Sequence, residues 1–417
     1  MPTPSLILVP ARFKTGKLYT PLATTSGGVV LGASGDFNVT RNTTATRVNA
    51  NGLIESVASG IPRLDYPLGG GCPALLVEPS AQNLALQSEA FNTTWSPLQL
   101  LAFNSGSVIN TTGTLDPYGT NVADLIVPNT VSDQHRIDQT TASVSGSYTF
   151  SVFLKAAGYN FGRLRIGTVG ATFNLASGTI GSTDAGIVSS IQPFGNGWYR
   201  CIISKAASAA NEVIRINVNE ALTGDYAGNG TSGIYVFGAQ YETGSAATSY
   251  IRTTTGSITR NADVINLSGA VSGCIGQTEG TIYAEVDIRN MARETYLIRI
   301  DDGATANILS LRKLATNEIR TAITAPTTSG TLNISSAAFT AGIVKIAFAY
   351  KSGEIALSVN GATALTANGT FSFAASLNRI TLGSNASASS EFNDRIRAVA
   401  LYTTRLTNAE LATLTTP

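Results

Sequence analysis

The chain has 417 residues, room for two to three domains, and 43% of them are hydrophobic, which excludes a disordered chain. Only 13% are charged and the formal net charge is +1 with no long basic run, so nucleic acid is not an expected partner. The polar surface must be built largely from Asn, Thr, Ser and Gly, a composition that suits pleated strands and their turns.

The N-terminal "MPTPSLILVPARFK" carries too short an apolar run for a signal peptide. No stretch reaches the ~18 apolar residues of a membrane helix, so no membrane insertion is expected. Residues 1–85 then read as short strands punctuated by Gly and Pro, with an Asn51-Gly52 hairpin signal. From 86 to 255, alternation dominates. Tyr148, Phe150, Val152 and Leu154 share one face of a strand, as do Ile214, Ile216 and Val218 of another. "GWYRCII" (197–203) and "GIYVFGAQY" (233–241) are apolar on both faces, as strands in mid-sandwich or under a neighbour would be.

Residues 256–417 repeat the pattern. Ile282, Ala284, Val286 and Ile288 alternate with Tyr283, Glu285 and Asp287, and "RIRAVALY" (395–402) has the same character. Asn360-Gly361 and Asp302-Gly303 mark further turns, and Thr407 with Glu410 forms a capping box before one short C-terminal helix. The fold class is therefore all-β: a β-rich N-terminal region, then two β-sandwiches of ordinary size. The stretch "GAQYETGSAATSYIRTTTGSITRNADV" (238–264) falls at their seam, and its "TRN" (259–261) echoes "TRN" at 40–42.

Catalytic signals are sparse. His135 is the single histidine, and a lone His in a polar segment reads as a surface residue. "GNGTSG" (228–233) precedes a strand instead of opening a helix, so it is a loop and no dinucleotide site. Cys72, Cys201 and Cys274 are odd in number and far apart, making neither a disulfide framework nor a zinc site; they fit assembly in a reducing cytoplasm. No motif calls for a metal or other cofactor; a structural calcium is allowed without a motif behind it, and Asp301 could hold a structural cation. A glycosidase needs only two facing acids, for which Glu294, Asp301 and Asp302 are the nominees.

Loop aromatics are the better chemistry, since sugars stack on rings that also offer polar tips. Tyr226, flanked by Asp225 and Asn229, is the leading glycan-binding candidate. Trp95 is the second, though core packing is the commoner fate of a Trp.

The motifs also carry a resemblance. "DFNVTRNTTATRVNANGLIESVASGIPRLDY" followed by "CPALLVEPSAQNLALQSEAF" (36–91) resembles a recurrent module of tailed-bacteriophage and prophage structural proteins. "YTFSVFLKA", "GNGWYRC" and the 238–263 seam resemble the carbohydrate-binding-module-like jelly roll that commonly follows it, with Arg252 where proline is usual. "GTIYAEVDI", "IALSVNGATAL" and "FNDRIRAVALYTTRLTNAELATL" are similar to concanavalin-A-like (laminin-G-like) sandwiches.

The resemblance implies three parts: an N-terminal anchoring region (1–85), a jelly roll (86–255) and a concanavalin-A-like sandwich (256–417). It further implies a non-enzymatic protein of the virion surface, in a tail fibre, appendage, head fibre or decoration. Such a protein is assembled in the bacterial cytoplasm and released by lysis. Its expected partners are other virion proteins, copies of itself (trimers are common) and bacterial surface glycans. Decoration without a ligand, and a glycan depolymerase, are the competing readings.

Overall fold

The computed structural model describes residues 1–20, 36–101, 114–218, 225–269, 272–291, 293–385 and 391–417. The alternating segments form the strands their patterns predict: Gly146–Ala157, Val213–Val218, Glu279–Ile288 and Asp394–Tyr402. Their apolar rows face inward, so Phe150, Val152, Ile214 and Ile216 lie in one core and Ile282, Ala284 and Val286 in another.

The first sandwich packs two antiparallel sheets. One, of six strands, runs Ser96–Leu98, Arg136–Thr140, Val213–Val218, Phe161–Ile166, Val169–Asn174, Thr179–Thr183. The other, of five, runs Asp124–Ile126, Gly233–Thr243, Gly146–Ala157, Trp198–Ser208, Ile187–Gly195. The doubly apolar strands sit in this second sheet. Val236 and Cys201 face the sandwich core, while Trp198 and Phe237 face outward into a small junction core with Ile54 and Tyr250.

The second sandwich is built from both ends of the chain. In one of its sheets Glu279–Ile288 lies between Gly342–Lys351 and Asp394–Tyr402, and the latter pairs in turn with Leu6–Leu8 and Ala74–Val77. In the other, Phe37–Thr40 pairs with Val264–Ser268, which pairs with Arg379–Leu382. Leu6, Leu8, Phe37, Val39, Leu75 and Val77 belong to the same core as Ile282 and Ile300. The region expected to be the N-terminal anchor thus shares its sheets and its core with residues 264–402.

The first sandwich is an insertion. Its two connections to the second run side by side where Ala81–Asn83 pairs with Ile258–Arg260.

Turn chemistry follows the sequence with one difference. Asn360 and Gly361 both adopt positive φ (50° and 74°), but at 51–52 only Gly52 does (φ 75°), and the Asn49 side chain closes that turn by accepting from the Asn51 and Leu53 amides. The helix Asn408–Leu414 has its full capping box and buries Leu411 on the back of the sheet.

The seam is a buried ion cluster. Arg41, Arg63, Arg260, Glu78 and Asp263 have side chains no more than 4% exposed. Arg63 bridges Asp263 and Glu78 (2.6 Å), Arg41 reaches Asp263 (2.9 Å) and Arg260 lies 3.4 Å from Glu78. Ser249 donates to Glu78 from both its amide and its hydroxyl, each at 2.7 Å. Burial alone would raise the Glu78 pKa, but Arg63 and Arg260 hold it well below the carboxylate range. The echoed "TRN" triplets supply Arg41 and Arg260 to this one site.

Candidate functional site

Tyr226, Asp225 and Asn229 lie together at the end of the inserted sandwich, and Trp95 does not join them. Tyr226 is half-buried; its ring packs 4.5 Å from His135 and 5.9 Å from Tyr159, and its hydroxyl donates to the Val218 carbonyl (2.9 Å). Asn229 spends its side chain on its own loop, accepting from the Thr231 and Ser232 amides and donating to Ser232 Oγ. Asp225 is exposed. Trp95 is 3% exposed, packed at 5.1 Å against Phe91 in a tilted pair with its indole N–H given to the Leu86 carbonyl, so no face is left for a sugar.

His135 also departs from expectation. It is 1% exposed, with its two ring nitrogens 2.5 and 2.9 Å from the carbonyls of Gln99 and Tyr226. The polar neighbours in sequence that suggested a surface site point elsewhere, and backbone carbonyls from two distant segments lie against the two ring nitrogens, one of them accepting the N–H of a neutral imidazole.

The nominated acids are committed to structure. Asp301 is fully buried; burial would raise its pKa, but Arg379 and Arg299 hold it below the usual range. Asp302 accepts from the Ala304 amide (2.9 Å) and Asn307 Nδ2 (2.7 Å), closing its hairpin. Glu294 pairs on the surface with Arg312 at 3.0 Å. Among the described residues no group of three or more His, Cys, Asp or Glu could hold a metal ion, and no helix is long and apolar enough to cross a membrane.

A further concavity lies where no sequence motif pointed. A cleft of about 700 Å³ opens between the outer face of the five-stranded sheet, the 64–78 segment and the 287–291 and 393–397 segments of the second sandwich. Registered rows of the sheet form one wall: Gln192, Arg200 and Phe153 lie side by side, as do Ser190, Ile202 and Ser151. The opposite wall holds Asp287, Arg289, Asp394 and Arg395. Arg289 pairs with Asp287 (2.9 Å) and Arg395 with Asp65 (2.6 Å). Burial pushes Asp394 up to about 7, against the pull of the Asn290 and Arg289 amides. The alternation of Ser190, Gln192 and Arg200 marks an outward face, but nothing in the sequence says that this face looks across at residues 287–291.

Residues 259–412 match the family described as the concanavalin A-like lectin/glucanases superfamily, which covers less than half of the chain. No curated protein matches. Among solved structures, the chain is similar to the CBM40 module of the Ruminococcus gnavus IT-sialidase (14% identity, 36% of this chain and 92% of that one, TM-score 0.31). It is also similar to domains LG4-5 of the mouse laminin alpha1 chain (12% identity, 66% and 86% covered, TM-score 0.24). A pentraxin of Limulus polyphemus is a third such likeness (11%, 33% and 70% covered, TM-score 0.25). Likenesses this distant say nothing of what the chain binds. The strand pairing itself establishes the architecture: two β-sandwiches, the second similar in sequence to the concanavalin A-like superfamily.

Proposed function

We propose that the chain is a non-enzymatic surface protein of a tailed-phage virion whose sandwiches adhere to glycans of the host surface. The cleft is the observation that carries adhesion. Its volume falls in the range of about 300–1,000 Å³ typical of small-ligand sites, and its walls combine hydroxyl, amide and guanidinium groups with the apolar surface of Phe194 and Tyr66. That mixture suits a sugar, which offers hydroxyls at its rim and C–H groups on its faces.

The virion assignment rests on the ordered motif of residues 36–91. Absence of enzymatic activity is supported by the structural commitments of Asp301, Asp302 and Glu294. Self-association is supported by the outer strands Thr179–Thr183 and Ile187–Gly195, which end their sheets and carry Ile180 and Val188 exposed.

Immunogold electron microscopy of intact virions with an antibody to this chain tests the location. Label on tail or appendages, or over the head, is the expected outcome; particles without label remove the virion assignment. Binding of the purified chain to host cells, abolished by periodate oxidation of their glycans, tests adhesion separately.

A further inference from the structure

We propose that the cleft selects carboxylate-bearing saccharides and that Arg200 receives the carboxylate; this rests on the glycan-adhesion reading above. The other arginines lining the cleft are already neutralised. Arg47 pairs with Glu55, Arg289 with Asp287, Arg395 with Asp65 and Arg397 with Glu285. Arg200 is different: among the described residues no carboxylate pairs with it. It donates from Nη2 alone, to Ser151 Oγ (3.0 Å) and the Thr248 carbonyl (2.8 Å), and its buried Nε has no partner.

The guanidinium carbon lies 5.4 Å over the Phe153 ring, a cation–π contact that holds it against the sheet. Burial pulls its pKa down, opposed by Glu242 and Glu78, but an arginine keeps its charge at neutral pH. A partly buried charge whose two hydrogen-bond acceptors are neutral, with Glu242 and Glu78 acting on it but not paired to it, leaves room for an anion on the cleft side. With both Nη2 protons given to Ser151 and Thr248, Nη1 is the nitrogen left to donate to a ligand carboxylate.

What flanks Arg200 suits a sugar better than a bare anion. Gln192 lies opposite it in register and Ser190 one row along, both on the cleft wall, where they can meet hydroxyls; Phe194 offers the apolar surface for a ring face. Inorganic phosphate would use the charge and leave these groups idle.

Calorimetry on the full chain tests the inference. The probes are hexagalacturonate, an alginate hexuronate and 3′-sialyllactose, each alongside its carboxyl-reduced neutral form, with maltohexaose and a glycerol-phosphate oligomer as further arms. At least one acidic probe should bind, and its reduced form should bind roughly ten- to a hundredfold more weakly, as loss of a charged hydrogen bond implies. Arg200→Gln should weaken the acidic probe to a similar degree, Arg200→Lys less, and added NaCl should weaken it progressively.

Equal binding of acidic and reduced forms, a preference for maltohexaose or glycerol phosphate, or an Arg200→Gln variant that binds as well as the parent would each overturn the inference and leave adhesion standing. Because ligand reduction needs no mutation, the result survives an Arg200→Gln variant that fails to fold. If neither any probe nor the host cell is bound, adhesion itself fails, and the inference with it.

Discussion

At the scale of single residues, the seam cluster is where charge does the most structural work. Three arginines and two carboxylates share one dry site, so removing one partner strands the others. Arg63→Met should destabilise the protein by about 3–5 kcal/mol in urea unfolding, because Glu78 and Asp263 both lose their main partner. The pH sign follows from Glu78. Its folded pKa is depressed from the ordinary 4.5, so its stabilisation is present above that value and is lost as acid protonates it. Asp394 works the other way. Raised from 3.8 to about 7, it contributes stability fully present below pH 3.8 and lost as pH climbs towards 7. Asp394→Asn, whose amide oxygen can still accept from the Asn290 N–H, should flatten that slope. The difference in melting temperature between variant and parent should favour the variant more at pH 8 than at pH 4; an unchanged difference across that range would show that Asp394 does not titrate as described. The motif letters "TRN", "PR", "EP" and "NAD" were legible as a pattern, but not as partners. Trp95 lies in the core, the commoner fate of its residue type, whereas His135 was misjudged because burial is decided by what arrives from elsewhere in the chain.

At the scale of elements, alternation was a faithful guide because each sandwich strand has one dry face, and a one-residue slip would turn its whole apolar row outward. The strand Gly233–Thr243 shows where alternation stops sufficing. Its pairing with Gly146–Ala157 shifts register between Ser151 and Phe153, and Gly238 sits at that irregularity with φ 64°. A Cβ there would lie 2.9 Å from the Phe153 ring. Val236 faces the sandwich core and Phe237 the junction core by ordinary alternation, and the bulge then returns Ala239 and Tyr241 to the same core as Val236. Gly238→Ala should therefore cost at least about 1–2 kcal/mol, the ordinary penalty for an L-residue in left-handed backbone, and more if the ring cannot yield. Chemical denaturation measures it; a neutral result would mean that the strand re-registers. The sequence shows "VFGAQ" as an apolar strand containing a glycine, which signals a bulge without saying which neighbour requires it.

At the scale of the molecule, chain order misled and sheet order explains why. Reading along the sequence separates 1–85 from 256–417, yet Leu6 pairs with Leu401 and Val39 with Ile265, across the whole intervening sandwich. No local pattern encodes a partner that far away. The pairing makes a sharp prediction about which parts fold alone. Asn83 sits opposite Ile258 in an antiparallel pair, where Cα atoms are about 4.5–5.5 Å apart, so a loop of about two to five residues can join them. Deleting Leu84–Ser257 and closing that hairpin keeps Arg41, Arg63, Glu78, Arg260 and Asp263, losing from the cluster only Ser249. It also keeps every strand of the second sandwich. The shortened chain should unfold cooperatively and remain monodisperse, though less stable, because Ile54 loses its cover of Trp198 and Phe237. Residues 256–417 alone keep the stretch matched to the concanavalin A-like superfamily but lack Leu6–Leu8, Phe37–Thr40 and Ala74–Val77. That fragment would expose the sheet edges and core positions those strands fill, and should aggregate or remain unfolded. Were it instead to fold as well as the shortened chain, the N-terminal strands would be an accessory layer, free to serve as an anchor. Failure of the fragment alone makes them part of the sandwich, and the particle attachment proposed for this region would then need surfaces that they leave exposed.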